Sequence, residues 1–303
     1  MKTIVLSKWS DVVVPAEKVY NTTLTRDQKI IIVDEDFTPF VNLDERTFSQ
    51  DFTVRIIDRN AVSTFAVKDL PFIPNKIDTY TDGTILLASC RCRRTEDWIQ
   101  QNARRYTMDG ECLDEFVLGD GISDLAIDDE NTIWVGYFDE GVYGNLGWEE
   151  PIGYSGIAVF SEKGEVVFRP ELPMMFELQG FNVQSADQVF AHYTLMSSFV
   201  YFDHFEEVQH DEIEEKISFS QFILIDADTM LVYCSQRLNF LILKRSNGEF
   251  RLENTVMLKD EHGKELEHKN ASIRMRGNHL FLMNSKGIYH AEVSLDSVIE
   301  VEE

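Results

Sequence analysis

Short apolar runs alternate with polar Asp, Gly and Asn turns along this chain, and the runs come in pairs. One set reads as inner hairpins: KVYNTTLTRDQKIIIVD from Lys18, IDTYTDGTILLASCRCR from Ile77, ISDLAIDDENTIWVGYF from Ile122, FNVQSADQVFAHYT from Phe181, FILIDADTMLVYCS from Phe222 and SIRMRGNHLFLMNS from Ser272. In each, the second strand is almost wholly apolar, as a strand buried on both faces must be. A second set follows as outer hairpins starting at Val54, Arg104, Ile157, Val200, Leu241 and Ile288. These alternate apolar and polar positions around turns such as Asp109-Gly110, Lys163-Gly164 and Asn247-Gly248, where glycine supplies a positive φ.

Four strands per unit, repeated every forty to fifty-five residues or roughly so, are the pattern of radial β repetition. The expected fold is all-β: a six-bladed β-propeller with four-stranded antiparallel blades. The blades fall at about 16–75, 76–121, 122–175, 176–215, 216–262 and 268–303 of the 303 residues, forming a single domain. Open sheet edges are a liability, so the unpartnered N-terminal run Lys2–Ser7 is expected to join the final blade and close the ring. Two smaller β-domains divided near Pro170–Pro173 are the rival arrangement.

The stretch Asp128–Gly136, with its acidic turn followed by Ile-Trp-Val-Gly, resembles propeller repeats of the NHL, SMP-30 and two-component-regulator type. Trp134–Asn145 is similar to a segment of uncharacterised bacterial propeller-like proteins. The resemblance implies the fold; propellers host unrelated activities. The SMP-30 likeness implies a divalent metal in a central channel, held by converging Glu, Asn and Asp side chains. Asp78, Asp124, Asp139, Asn182 and Gln221 are the residues here that stand nearest to that role.

Composition narrows the functional classes. With 53 acidic against 28 basic residues the formal charge is −25. Such a field opposes nucleic acid and anionic membranes, both of which need clustered Lys and Arg. It suits solubility, a cation, or a basic partner. The N-terminal sequence has no signal-peptide core, and no apolar run reaches membrane-spanning length. A cytoplasmic protein with free thiols, a monomer or weak oligomer, is expected.

Two connectors are long, and long connectors in compact domains tend to be functional. They belong to neighbouring blades and should form one wall of a binding face. Arg91–Arg105 carries five arginines in fifteen residues: Arg91, Arg93, Arg94, Arg104 and Arg105, with Trp98 between them. Arginine forks suit carboxylate or phosphate, but the same side chains can instead tie the rim to neighbouring acids. Tyr137–Gly156 carries Asp139, Glu140, Tyr143, Asn145, Trp148, Glu149, Glu150 and Tyr154 among five glycines. Asp139 and Glu140 are oxygen ligands of the kind Ca²⁺ or Mg²⁺ takes, although no complete metal set is legible and no cofactor is expected. The acidic run Phe205–Lys216 reads as a solvated loop with a short helical option.

Cys90, Cys92, Cys112 and Cys234 lack zinc spacing and read as small buried residues. Among seven scattered histidines, His192 ends an apolar strand and is the one placed to face a channel. There is no GxSxG elbow, P-loop or GxGxxG. The leading expectation is therefore a non-enzymatic binding propeller. It would present a protein- or small-anion-binding face built from Arg91, Arg93, Arg94, Trp98, Arg104, Arg105, Tyr137, Asp139, Glu140, Tyr143, Asn145, Trp148 and His192. The alternatives are a metal-dependent SMP-30/lactonase-like hydrolase and an acidic, immunity-type antagonist of a basic partner.

Overall fold

The computed structural model describes residues 2–14, 22–34, 48–171, 177–194, 197–214, 217–268 and 270–300. They fall into two compact units, Tyr20–Leu178 and Met1–Val19 with Gln179–Glu303. The chain opens with strand β1, Lys2–Ser10, which belongs to the second of these.

Unit Tyr20–Leu178 holds three separate four-stranded antiparallel sheets, each running in sequence order. The first is β2 (Thr22–Leu24), β3 (Ile30–Val33), β4 (Gln50–Asp58) and β5 (Ala61–Leu70). The second is β6 (Lys76–Thr79), β7 (Ile85–Ala88), β8 (Ala103–Tyr106) and β9 (Cys112–Phe116). The third is β10 (Ile122–Ile127), β11 (Ile133–Tyr137), β12 (Ile157–Phe160) and β13 (Val166–Phe168), with a short helix α1 (Asp139–Tyr143) between β11 and β12. The hairpins read from the sequence are these strands; residues 18–21 of the first lie outside the described residues.

The all-apolar second strands are buried on both faces, and β7 shows why. Its Ile85 and Leu87 pack among Ile31, Val54 and Ile56 of the first sheet. Its Leu86 and Ala88 point the other way, into Leu125, Val135 and Ala158 of the third. Period-2 alternation thus feeds two cores from one strand. Each buried Ile or Leu contributes about 1.5–3 kcal/mol by leaving water. Gly83, Gly110, Gly164 and Gly248 take the positive φ that their turns require.

The second unit contains the meanders β14 (Leu178–Ser185), β15 (Gln188–Tyr193), β16 (Ser198–Asp203), β17 (Glu206–Ile213) and β18 (Gln221–Asp226), β19 (Thr229–Cys234), β20 (Asn239–Ser246), β21 (Glu249–Asp260). Then come β22 (Ser272–Arg276), β23 (His279–Asn284), β24 (Gly287–Glu292) and β25 (Val298–Glu300). Here the sheets are not separate: with β1 they make one 13-stranded sheet. The cause is the length of β21. At its start Glu249 and Phe250 pair in parallel with Glu212 and Ile213 of β17, and Val256–Asp260 pair in parallel with Lys2–Leu6 of β1.

The N-terminal strand departs from expectation in detail. It runs to Ser10, and its Ser7–Ser10 half pairs with β24, while Lys2–Ile4 also pairs with β25. The run from Ile288 is therefore not a hairpin closed on itself, because β1 bonds both of its strands. Ile4 and Leu6 drive this, fully buried among Leu258, Leu280 and Val293. The acidic run after Phe205 is also not a loop or helix within the described residues. It forms strand β17, with Asp211 and Ile213 turned inward, and Arg245 Nε donates to the Asp211 carboxylate at 2.8 Å. No helix among the described residues is long and apolar enough to cross a membrane.

Candidate functional site

The two long connectors of unit Tyr20–Leu178 dock on one another. The Arg94 N–H donates to the Leu146 carbonyl at 2.9 Å, and the Trp148 indole N–H donates to the Cys92 carbonyl at 2.7 Å. The Arg94 guanidinium lies 5.2 Å from the centre of the Trp148 ring. Gly147, at φ +90°, lets the second loop approach so closely that a Cβ would collide with the Arg94 carbonyl. The adjacency read from blade order holds, in a more interlocked form.

Most of the arginines are committed inside this assembly. Arg91 places Nε and Nη2 on the Asp120 carboxylate at 2.9 and 3.0 Å, and Asp120 also accepts the Cys92 N–H at 2.8 Å. Arg91 also lies 3.7 Å from Glu140. Arg104 and Arg105 belong to strand β8 rather than to the loop. Arg104 pairs with Glu115 at 2.9 Å. Arg105 donates to Thr84 and Asp82, both at 2.7 Å, and covers the Tyr80 ring at 4.1 Å. The Arg93 N–H is taken by Gln100 Oε1 at 3.0 Å, and its side chain is exposed.

In the second loop, Tyr137 has no exposed surface. Its hydroxyl donates to the Leu118 carbonyl, and its ring packs flat beneath Gly153, where no Cβ fits. Trp148 is buried as well, at 6% exposure. Both aromatics therefore hold the loop in place. Asp139 and Glu140 open helix α1, where the sequence suggests only strand and loop; carboxylates are favoured at a helix start. Glu140 titrates above the ordinary carboxyl range because it hydrogen-bonds Asp139, with burial adding to the effect and Arg91 opposing it. Burial, then the charge of Asp139, raises Glu177. Tyr143, by contrast, is 63% exposed. Asn145 is exposed, and its side-chain and main-chain oxygens accept the Leu146 and Trp148 N–H groups.

His192 belongs to the other unit, on β15. It is buried, stacked 4.0 Å from Phe219, and donates from Nδ1 to the Phe219 carbonyl at 2.8 Å. A carbonyl only accepts, so Nδ1 carries the proton. Burial lowers its pKa to about 4, so the ring is neutral near pH 7.

The residues implied by the SMP-30 likeness have structural partners. Asp78 is fully buried and accepts the Ile127 N–H at 2.6 Å, linking β6 to β10. Gln221 accepts the Met275 N–H at 2.7 Å, linking β18 to β22. Asn182 donates to Phe222 and Gly277 and accepts from Gly277. Asp124 accepts the Leu125 N–H. Among the described residues no group of three or more His, Cys, Asp or Glu side chains is arranged to hold a metal ion. None of the four cysteines forms a disulfide; Cys92 and Cys234 are buried, Cys90 is half-buried and Cys112, expected inside, is exposed.

The docked loops leave an open groove of about 700 Å³ bordered by Glu96, Asp97, Trp98, Glu149 and Glu150, with Arg94 on the same lining. Sequence reasoning singled out the arginines and missed the acids of the first loop. The acid pairs Glu96-Asp97 and Glu149-Glu150 were the available signal. It also missed Asn102, which is fully buried and ties the loops internally: Nδ2 donates to Ser89 and Gly119, and Oδ1 accepts from Leu118.

No family model and no curated protein sequence matches the chain. Solved structures do. Virginiamycin B lyase from Staphylococcus aureus is similar at TM-score 0.55 and 11% identity, over 96% of this chain and 98% of that one. The WD40 β-propeller domain of Doa1 is similar at 0.53 and 10%, over 99% and 98%. PQQ-bound aldose sugar dehydrogenase from Streptomyces coelicolor is similar at 0.52 and 10%, over 96% and 98%. At such identities the likeness is one of fold, and that fold is propeller-type and all-β.

Proposed function

We propose that this chain is a non-enzymatic binding propeller whose docked loops receive a basic segment of a partner protein. The observation that carries this reading is the groove. Four carboxylates, Glu96, Asp97, Glu149 and Glu150, border it around Trp98. Arg91, Arg104 and Arg105 are meanwhile spent on Asp120, Glu115 and Asp82. Arg94 also lines the groove, stacked on Trp148, so the four carboxylates outnumber the one cation on the lining, and a Lys or Arg side chain finds acids and an indole face. Exposed Tyr143 and Tyr154 in the second loop add aromatic contact area of the sort that dominates interfaces. The overall charge of −25 would speed the encounter.

In this reading the three sheets of one unit and the three meanders of the other are six blades, with β1 as the clasp. Four cysteines without a disulfide fit a reducing, cytoplasmic setting. The test is a fluorescence titration with a Lys/Arg-rich peptide, comparing the native chain with Trp98→Phe. A saturable signal present in the first and lost in the second supports the groove. A signal unchanged by the substitution places binding elsewhere.

A further inference from the structure

A second cavity, of about 590 Å³, lies at the opposite end of the strands, between the turns of the first two sheets. Its size falls in the range of about 300–1,000 Å³ usual for small-ligand sites. Arg26, Asp27 and Lys29 come from the β2–β3 turn, Asp58 and Val62 from the β4–β5 hairpin, and Asp82 and Met108 from turns of the second sheet.

The charges around it do not all close. Lys29 holds Asp27 at 2.6 Å, and Asp82 is taken by Arg105 at 2.7 Å. Arg26 borders the cavity and makes no hydrogen bond or ion pair among the described residues; its Nη1 is closed off inside the protein with no acceptor. Nη1 itself is out of a ligand's reach, so a carboxylate would meet the guanidinium on its cavity side. Asp58, exposed on the far side of the same cavity lining, forms no hydrogen bond or ion pair among the described residues, and its charge acts at longer range on Lys29, whose pKa it helps to raise. Ile31 and Ile56 form the apolar floor, while Val62 and Met108 are 48% and 43% exposed. A guanidinium without an ion pair, a carboxylate met only at longer range by Lys29, and an apolar surface call for a ligand that carries the three matching features.

We infer that this cavity binds a free α-amino acid with an apolar side chain. Its carboxylate meets Arg26, its ammonium meets Asp58, and its side chain covers Val62 and Met108. A zwitterion suits this chain better than a plain carboxylate, because a protein of net charge −25 repels net anions. The site is independent of the groove that carries the proposed function.

The experiment is calorimetric titration of the full chain with L-leucine, L-methionine and L-phenylalanine. The controls are 4-methylpentanoate and 3-methylbutylamine, which each lack one charged group of leucine. At least one amino acid should bind, neither control should match it, and Arg26→Gln and Asp58→Asn should each weaken binding roughly tenfold. The native protein with the two controls needs no variant to fold. No heat with any of the three amino acids overturns the proposal. So does equal binding of 4-methylpentanoate, or affinity untouched in Arg26→Gln.

Discussion

The indole of Trp148 donates its N–H to the carbonyl of Cys92 at 2.7 Å, across 56 residues of chain. A single side chain thus fastens the second long loop to the first, and the same ring carries the Arg94 guanidinium on its face. Replacing Trp148 by Ala removes a buried ring and should lower the unfolding free energy by about 3–5 kcal/mol. Trp148→Phe keeps much of the packing but leaves the Cys92 carbonyl without its donor, a loss of about 1–2 kcal/mol. Urea unfolding of both variants checks the order.

Asp120 is the other joint of this assembly. Its side chain is 1% exposed and is neutralised by Arg91, which keeps 35% of its own surface in water. Arg91→Ala leaves a buried carboxylate with the Cys92 N–H as its one remaining donor among the described residues. The expected loss is about 2 kcal/mol, below that of a fully buried pair because of the exposure of Arg91. Adding Asp120→Asn to Arg91→Ala should recover part of it, and a double-mutant cycle reads the coupling directly.

How legible this was in the sequence differs between strands and side chains. Runs such as Ile85–Ala88 and Ile133–Tyr137 announce two-sided burial because every position is apolar, and glycine turns fixed their register. That made the hairpins readable. The 13-stranded sheet was not, since β21 meets β17 and β1 through main-chain bonds that any side chain permits. For the loops, length and adjacency were visible, but the fate of each arginine was not. Arg91 and Arg93 look alike in sequence; only the fold brings Asp120 to the first, 29 residues away. Trp148 and Tyr137 read as contact residues for the same reason: a ring fills a loop or faces a partner depending on packing remote in the chain.

His192 links pH to stability. Its folded pKa is lowered to about 4 by burial, from an ordinary value of 6.5. The unfolded chain therefore binds the extra proton first as pH falls, so the stabilising contribution is complete above 6.5 and declines down to about pH 4. The loss over that window is ~3 kcal/mol. Melting temperature against pH should fall less steeply there in His192→Phe than in the native chain. Parallel curves would show that the imidazole stays out of the titration.

Ile4 and Leu6 anchor β1 with no exposed surface. Ile4→Ala or Leu6→Ala should each destabilise by about 2–5 kcal/mol. Hydrogen exchange should show the pairing of Ser7 with His290 weakened in the same variants. Retained protection at β24 would mean that β1 is not held by its apolar side.

The most direct test of the central claim is calorimetry of a Lys/Arg-rich peptide against three forms of the chain: native, Glu149→Lys/Glu150→Lys in the groove, and Glu261→Lys/Glu265→Lys at another exposed turn. Saturable, salt-weakened binding is expected for the native chain and for the Glu261/Glu265 variant, with its loss in the groove variant at unchanged melting temperature. Equal weakening in both variants would contradict it, because the peptide would then be reading net charge rather than the groove.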